Sequence, residues 1–366
     1  MSVPARATSP SGSGSRPAAR QPAPRAAPPA ARAATRADVA RHAGVSTAVV
    51  SYVVNEGPRR VAPETAARVR AAVEALDYSP NVAARALRMG SSEMLGLVVP
   101  DITNLFFAEL AHAVESAAAE HGFLVTLASS GSDVDLEREL VADLAGRNAD
   151  GLMVSTVLTP EALTALPAPR RPTVLINVSA PFAGYAAVGS DARQGAYDLV
   201  EHLLGTHGHT SVALVIGEST ERLPEPRERG FVEAFAAHGL PPGPVVRTAF
   251  SRTGGYDAVR RILAWRHRPD AIFLSSDQQA SGAYRAVREA GLECPDDVAL
   301  IAYDGTSQSA FSWPPLTVAR QPVEAMARAA LQAVLDPVNA PAHQQLPTEL
   351  VVRRSCGCPS PPSPTA

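Results

Sequence analysis

Along this chain the apolar positions change period twice. Residues 1–33 carry Pro, Ala, Arg, Ser and Gly without any apolar repeat. That composition buries too little surface to offset the entropy of ordering, so a disordered tail is expected. Over 35–77 apolar residues recur at helical spacing in three short blocks, and a fourth small block covers 81–89. Four short helices are predicted. After Glu93 short apolar runs alternate with amphipathic stretches; the runs fall at 94–99, 123–128, 151–154, 173–176, 212–216, 271–274 and 298–301. This β-α-β-α alternation predicts parallel sheets covered by helices on both faces. There are more strands and residues than one compact sheet takes, so two similar doubly wound lobes are expected. A Pro/Ser tail follows from 355 to 366.

Local chemistry marks the helix ends within 35–77. Thr35 is placed to cap a first helix, with Asp38 completing a capping-box-like start and Val39, Ala40 and Ala43 supplying an apolar face. Gly44 gives the backbone freedom a tight turn needs, Val45 plugs the space between helices, and Ser46 can cap a second helix running from Thr47 to about Asn55. In that helix Val49, Val50 and Val53 face inward. Thr47, Ala48, Ser51 and Tyr52 then point outward from its N-terminal part, at the positions that would enter a major groove. A third helix starts after Ala62 with Pro63 and packs through Val69, Ala72, Val73 and Leu76. Such a trihelical unit fits DNA and, read alone, fits a protein-binding module as well.

Composition narrows the field. With 46% hydrophobic and 19% charged residues the chain has the balance of a soluble protein with a sizeable core. The net charge of −3 hides an asymmetry: residues 1–90 hold 13 Arg against 5 acids, and the remainder holds 20 Arg against 31. Lysine is absent. A basic front on an acidic body points to a polyanion-binding module joined to something else. The chain lacks an apolar run of about 18 residues, and its first 34 residues lack the apolar stretch of a secretory signal. No membrane partner and a cytoplasmic location are expected. Cys294, Cys356 and Cys358 give no disulfide framework. The Cys-Gly-Cys pair could bind a metal but lacks partners in the sequence, so neither a metal nor another cofactor is expected.

The string Asp-Val-Ala-Arg-His-Ala-Gly-Val-Ser-Thr at 38–47, with Val-Ser-Tyr-Val-Val-Asn at 50–55 and Tyr-Ser-Pro-Asn at 78–81, resembles the DNA-binding headpiece of the LacI/GalR family of repressors. The similarity continues through the body to Arg354. It implies an α/β protein with an all-α helix-turn-helix headpiece (34–78), a hinge helix and linker (79–92) and a two-lobed periplasmic-binding-protein-like core of doubly wound parallel sheets (93–354). The tails, 1–33 and 355–366, fall outside it. Residue by residue, the resemblance implies that Thr47, Ala48 and Tyr52 touch base edges while Ser46, Ser51 and Asn55 help hold phosphates; Thr35, Asn81 and Ala84 complete the DNA-binding set. A threonine hydroxyl can bond either kind of edge group, an alanine methyl can meet that of thymine, and a helix N-terminus favours phosphate. Leu87 corresponds to a leucine wedged between base pairs in the minor groove, and Ala83, Ala84 and Ala86 would let two hinge helices approach closely. Ala62 departs from the capping serine of many relatives, a loss of roughly 0.5 to 2 kcal/mol.

In the body, Val-Pro-Asp-Ile-Thr-Asn-Leu-Phe-Phe-Ala-Glu-Leu at 99–110 is similar to the family's first strand and helix start, which implies that Asp101, Phe106 and Phe107 lie at the mouth between lobes. Ligands of doubly wound domains sit at the carboxyl ends of strands. The same resemblance implies that Asn177, Asp191, Arg227, Phe250, Ser276, Asp277 and Asp304 face that cleft. The set suits a sugar or related metabolite, held by bidentate hydrogen bonds and stacked on ring faces. Each residue also has an ordinary role open to it: Asp191 as a helix cap, Phe250 as core, Arg227 as a solvated charge. Ser276 stands where many sugar-sensing relatives have asparagine, which leaves the ligand's identity open. No nucleophile elbow, Walker loop or dinucleotide fingerprint is evident, and His202, His207 and His209 fall around a helix end where histidine usually meets solvent, so an enzyme is not expected. The expectation is a repressor that binds a palindromic double-stranded operator as a homodimer under control of a small effector. The competing class is a two-lobed solute-binding protein with no DNA role.

Overall fold

Three short helices form the first of two compact units into which the chain divides, one ending at Asn81 and the other starting at Val82. The computed structural model describes residues 34–54, 60–79, 90–147, 149–164, 171–218 and 225–359. Helices α1 (Arg36–Ala43), α2 (Thr47–Val54) and α3 (Pro63–Ala75) follow the boundaries expected from the caps. The Asp38 amide donates to Thr35 Oγ1 at 3.3 Å, and the Thr35 amide donates to Asp38 Oδ2 at 2.9 Å. The Thr35 hydroxyl, which donates to Asp38 Oδ2 at 2.6 Å, and then the Thr35 amide hold the Asp38 carboxyl down to about 2. Gly44, at φ +64°, ends α1, and the Val45 amide returns to the Ala40 carbonyl at 3.0 Å. Val39, Ala40, Ala43, Val50, Val69 and Ala72 form the buried centre, with Val49 and Val53 packed against it.

The second unit holds two six-stranded sheets. In the first lobe, β1 (Met94–Val99), β2 (Leu124–Ser129), β3 (Gly151–Val154), β4 (Thr173–Ile176) and β5 (Ala186–Ser190) alternate with α4 (Leu105–Glu120), α5 (Val134–Gly146) and α6 (Pro160–Thr164). The chain then crosses into the second lobe. There α7 (Ala192–Glu201) continues into a π-helical turn, His202–Thr206, ahead of β6 (Val212–Gly217), α8 (Pro226–Ala237), β7 (Val245–Thr248) and α9 (Arg252–Leu263). Next come β8 (Ala271–Leu274), α10 (Asp277–Glu289), β9 (Ala299–Asp304), α11 (Ser307–Phe311) and β10 (Thr317–Arg320). A second crossing leads to α12 (Val323–Leu335) and β11 (His343–Leu346), which joins β5. The third returns β12 (Glu349–Val351) to β10, the one antiparallel pairing among the described strands.

All seven expected runs are strands, with the second shifted by a residue and the last extended to Asp304. The five others went unread because they are short and carry small or polar residues. Strand β11 reads His-Gln-Gln-Leu at a sheet edge, and β5 contains Gly189, where a Cβ would lie 1.9 Å from the Val178 carbonyl oxygen. Helix α12 packs in the first lobe through Met326, Ala327, Ala330 and Leu331, so each lobe is built from discontinuous sequence. The expected tail from 355 needs correction: Ser355 and Cys356 are buried. The Ser355 hydroxyl donates to the Leu300 carbonyl at 2.5 Å and accepts the Thr317 amide at 2.8 Å. A segment fixed by such polar anchors has no apolar period to betray it. Among the described residues no helix is long and apolar enough to cross a membrane.

Ala62 precedes α3 in an extended conformation, φ −54° and ψ 138°, and makes no side-chain cap. Ala62→Ser should therefore stabilise the first turn of α3 by about 1 kcal/mol, read as slower amide hydrogen exchange there. Unchanged exchange would show that Pro63 alone already fixes that turn.

Candidate ligand cleft and recognition helix

In the first unit Ser46, Thr47 and Ala48 are exposed at the start of α2, while Ser51 and Tyr52 are half-buried on its outer side. The Ser46 hydroxyl accepts the Val49 amide at 3.3 Å and caps the helix. Thr35 Oγ1 donates to Asp38 Oδ2 at 2.6 Å, so its hydroxyl is committed to the cap of α1. Asn55, Asn81, Ala84 and Leu87 lie outside the described residues. The α2 N-terminus thus offers a small hydroxyl, a methyl and the positive end of a helix on one exposed surface.

In the second unit a cavity of about 480 Å³ lies at the carboxyl ends of strands from both sheets. Eight of the ten residues expected there line it: Asp101 after β1, Phe106 and Phe107 on the first turn of α4, Asn177 after β4, Arg227 at the start of α8, Phe250 after β7, Ser276 after β8 and Asp304 at the end of β9. The Asn104 side chain caps α4 at the Phe106 amide, 3.2 Å, and the rings of Phe106 and Phe107 meet edge to face at 5.2 Å. Two expectations are corrected. Asp191 accepts the Gln194 amide at 3.0 Å and caps α7. Asp277 turns into the loop after β9, where it accepts the Thr306 amide at 2.6 Å and the Thr306 hydroxyl at 2.7 Å. Orphan amides at helix and loop starts claimed both carboxylates.

Arg227 is the most constrained cation of the cleft. Its Nε donates to Glu225 Oε1 at 2.8 Å and its Nη1 to the Ser275 carbonyl at 2.7 Å. The guanidinium carbon lies 5.2 Å from the ring centroids of both Phe250 and Tyr303. Burial opposes its charge, but Glu225 and Asp304 more than compensate and hold its pKa above the ordinary value. Phe250, 43% exposed, is a cleft wall and not core.

Asp304 sits at φ +115°, a conformation L-residues rarely adopt, and is 7% exposed. Such strain costs on the order of 1–3 kcal/mol and persists where surrounding structure imposes it. Its Oδ1 accepts Gln321 Nε2 at 2.9 Å. Burial first, and the neighbouring Asp277 carboxyl second, push its pKa well above the ordinary carboxylate range; Asp277 is raised by burial as well.

Several residues of the site were not read from sequence, among them Ser190, Tyr303, Gln321 and Gln278. The Ser190 hydroxyl donates to Gln321 Oε1 at 2.6 Å, so the Tyr303 hydroxyl, 2.8 Å away, donates to Ser190. With Asp304 these side chains join the first and second lobe crossings along the cavity. Gln278 also lines it, with a buried Oε1 that meets no hydrogen-bond partner among the described residues. Gln321-Pro322 directly after β10 was the available signal, lost because β10 itself was not recognised. A larger groove of about 1310 Å³ runs along α4, α11 and α12. It is rimmed by the exposed charges of Arg320, Glu324, Arg328 and Glu349 and shares Phe106, Asp304 and Gln321 with the smaller cavity, where the rings of Phe107, Phe250 and Tyr303 and the Arg227 guanidinium also converge. That convergence makes the smaller one the candidate ligand site.

Because burial raises Asp277 and Asp304 above their unfolded values, each favours the fold most while protonated and loses that contribution as pH rises through the raised value. Asp304→Asn, which cannot ionise, should therefore show a smaller fall in Tm than the unaltered chain between the ordinary carboxylate range and neutral pH. Parallel Tm curves would refute the burial argument.

Comparison with known proteins agrees with this geometry. Residues 35–81 match the bacterial regulatory proteins of the lacI family, and residues 200–356 match a periplasmic binding protein-like domain. The chain is 33% identical over 315 residues to the ribose operon repressor of Escherichia coli K12, covering 85% of this chain and 95% of that protein. It is 32% identical over 330 residues to the HTH-type transcriptional repressor PurR of Yersinia pestis, covering 88% and 96%. Among solved structures, the lac repressor dimer bound to operator and the anti-inducer ONPF superposes with a TM-score of 0.79 at 26% identity, over 89% of this chain and 99% of that one. A LacI family regulator from Enterococcus faecium with bound ribose gives a TM-score of 0.62 at 29% identity, over 73% and 99%. A helix-turn-helix unit followed by a two-lobed core with a cavity between its sheets, shared with these repressors over most of its length, makes this chain a member of the LacI family of DNA-binding transcriptional regulators.

Proposed function

We propose that the chain represses transcription as a homodimer on an imperfect palindrome and that a polyhydroxylated small molecule in the 480 Å³ cavity controls its grip. The observation that carries this reading is the convergence of Arg227, Asp304, Asn177 and Gln278 with the rings of Phe107 and Phe250 in one cavity. Carboxylate, amide and guanidinium groups pair with vicinal hydroxyls, and ring faces cover the apolar face of a sugar. The ribose-bound relative and the ribose operon repressor supply the same chemical class by analogy. Nothing in the cleft requires a reaction; its residues suit binding, and a cytoplasmic protein is the setting this function implies.

On the DNA side Thr47, Ala48 and Tyr52 read base edges, while Ser46 and Ser51 steady the backbone. The lac repressor dimer on its operator provides the analogy for two headpieces on two half-sites. Coupling requires that the effector bind one arrangement of the lobes better than another, typically by 1–3 kcal/mol, or about 5- to 150-fold. The chain of Ser190, Tyr303, Gln321 and Asp304 across the crossings is where such a difference would register.

Two measurements test the proposal. Duplexes selected from a random pool should yield a palindrome, and Thr47→Ala should weaken binding to it by roughly tenfold while leaving nonspecific, salt-sensitive binding unchanged; recovery of no preferred sequence overturns the DNA reading. Arg227→Ala should lower affinity for the effective sugar at least about tenfold, with duplex affinity retained in its absence. Undiminished affinity by calorimetry overturns the cleft assignment.

A further inference from the structure

We propose that this chain carries a structural zinc site, formed by His202, His207, Cys356 and Cys358, that fastens its C-terminal segment to the end of α7. Read in the sequence, the Cys-Gly-Cys pair had no partners, and the histidines were expected to meet solvent. The fold overturns both readings. One donor atom from each of the four residues lies within 4.8 Å of every other, and all four residues are buried or half-buried. His202 Nε2 is 3.3 Å from Cys356 Sγ and 3.6 Å from Cys358 Sγ, and His207 Nε2 is 3.3 Å from Cys358 Sγ. A tetrahedral zinc with bonds of about 2.3 Å to sulfur and about 2.0–2.1 Å to nitrogen sets its N and S ligands about 3.5 Å apart. The three N–S separations lie within about 0.3 Å of that value, and the full set of four donors is gathered within 4.8 Å.

Two local features bring the donors together. The turn between the histidines, His202–Thr206, is π-helical. In an α-helix residues five apart point in widely different directions, whereas the wider π turn brings them towards one side; such turns are rare and concentrate at functional sites. The rings of His202 and His207 consequently meet edge to face at 4.9 Å. Between the cysteines Gly357 adopts φ +102°, which few L-residues reach, and a Cβ there would stand 3.4 Å from the His207 ring. The backbone reverses closely enough for both thiols to face the imidazoles. The Thr317 hydroxyl, 3.1 Å from Cys356 Sγ, can donate to a thiolate, as outer partners of metal ligands do.

Two thiolates and two imidazoles in tetrahedral array select zinc, and four protein ligands make a closed, structural site. Binding deprotonates the thiols and releases protons to solvent, with no change of oxidation state. The metal links residues 154 positions apart in sequence, as the His202–Cys356 pairing shows, and fixes the segment that follows β12 and the third lobe crossing.

The test uses tag-free full-length protein, reduced, loaded with zinc and freed of excess. About one zinc per chain by mass spectrometry is expected, falling at least tenfold in the Cys356→Ser, Cys358→Ser double variant. Zinc at a hundredfold excess over its Kd should raise Tm by about 4–5 °C for a unit of this size. If the double variant fails to fold, cobalt(II) added to the unaltered chain decides: intense d–d bands with sulfur-to-metal charge transfer are expected, and the pale spectrum of octahedral cobalt overturns the site. So does a reduced chain that takes up no zinc, one that prefers cuprous ion, or a folded double variant that keeps its zinc.

Discussion

A buried row of polar groups where the chain crosses between its sheets is the constraint on which the rest of the second unit depends. Ser190, Tyr303, Gln321 and Asp304 belong to the ends of β5, β9 and β10, and their hydrogen bonds run from the first crossing to the second. In a low-dielectric interior such groups hold one another strongly and cost most when left unpaired. Any motion of one lobe against the other must keep these bonds or exchange them for equivalent ones. Three crossings rather than one restrain any such motion more than a single connection would. The candidate cavity is lined by the same Ser190, Tyr303, Asp304 and Gln321.

The cleft's electrostatics follow from this placement. Arg227 is held by Glu225 and the Ser275 carbonyl with two ring centroids 5.2 Å from its guanidinium carbon, so its side chain has little rotational freedom left. Asp304 is strained in backbone and destabilised in charge, and Gln278 presents a buried acceptor without a partner among the described residues. Each is a local cost within the fold. Under the proposed function, a ligand hydroxyl donating to Gln278 would offset the cost of that unpaired acceptor, whereas the backbone strain at Asp304 stays with the fold.

Legibility in the sequence tracks the kind of interaction that fixes each element. Helix ends set by local chemistry were readable: Thr35 with Asp38, Gly44 and Ser46 all act where they were expected. Strands buried on both faces were readable as apolar runs, because only burial explains a run such as β9. The edge strand β2 was still readable from its apolar residues, but β11, at the other edge, and β5, at a crossing, are held by backbone pairing and close approach, which leave little apolar signature. Eight of the ten cleft residues followed from resemblance to a family rather than from any local pattern. Asp191 and Asp277 departed from it because a cap bond to nearby backbone outweighed a place in the cavity.

The C-terminal segment shows the same limit in its sharpest form. Arg-Ser-Cys-Gly-Cys has neither period nor bulk, yet Ser355 and Cys356 are among the most buried residues of the chain. Its anchors are a hydroxyl between two strands, a left-handed glycine, and thiols that meet imidazoles some 150 residues earlier in the chain. Hydrophobic patterning detects surface removed from water and is blind to directional bonds between distant residues. A segment held by directional bonds is therefore read as a tail until the fold sets its partners beside it, and what looks like the least structured stretch of the core is one of its fixed points.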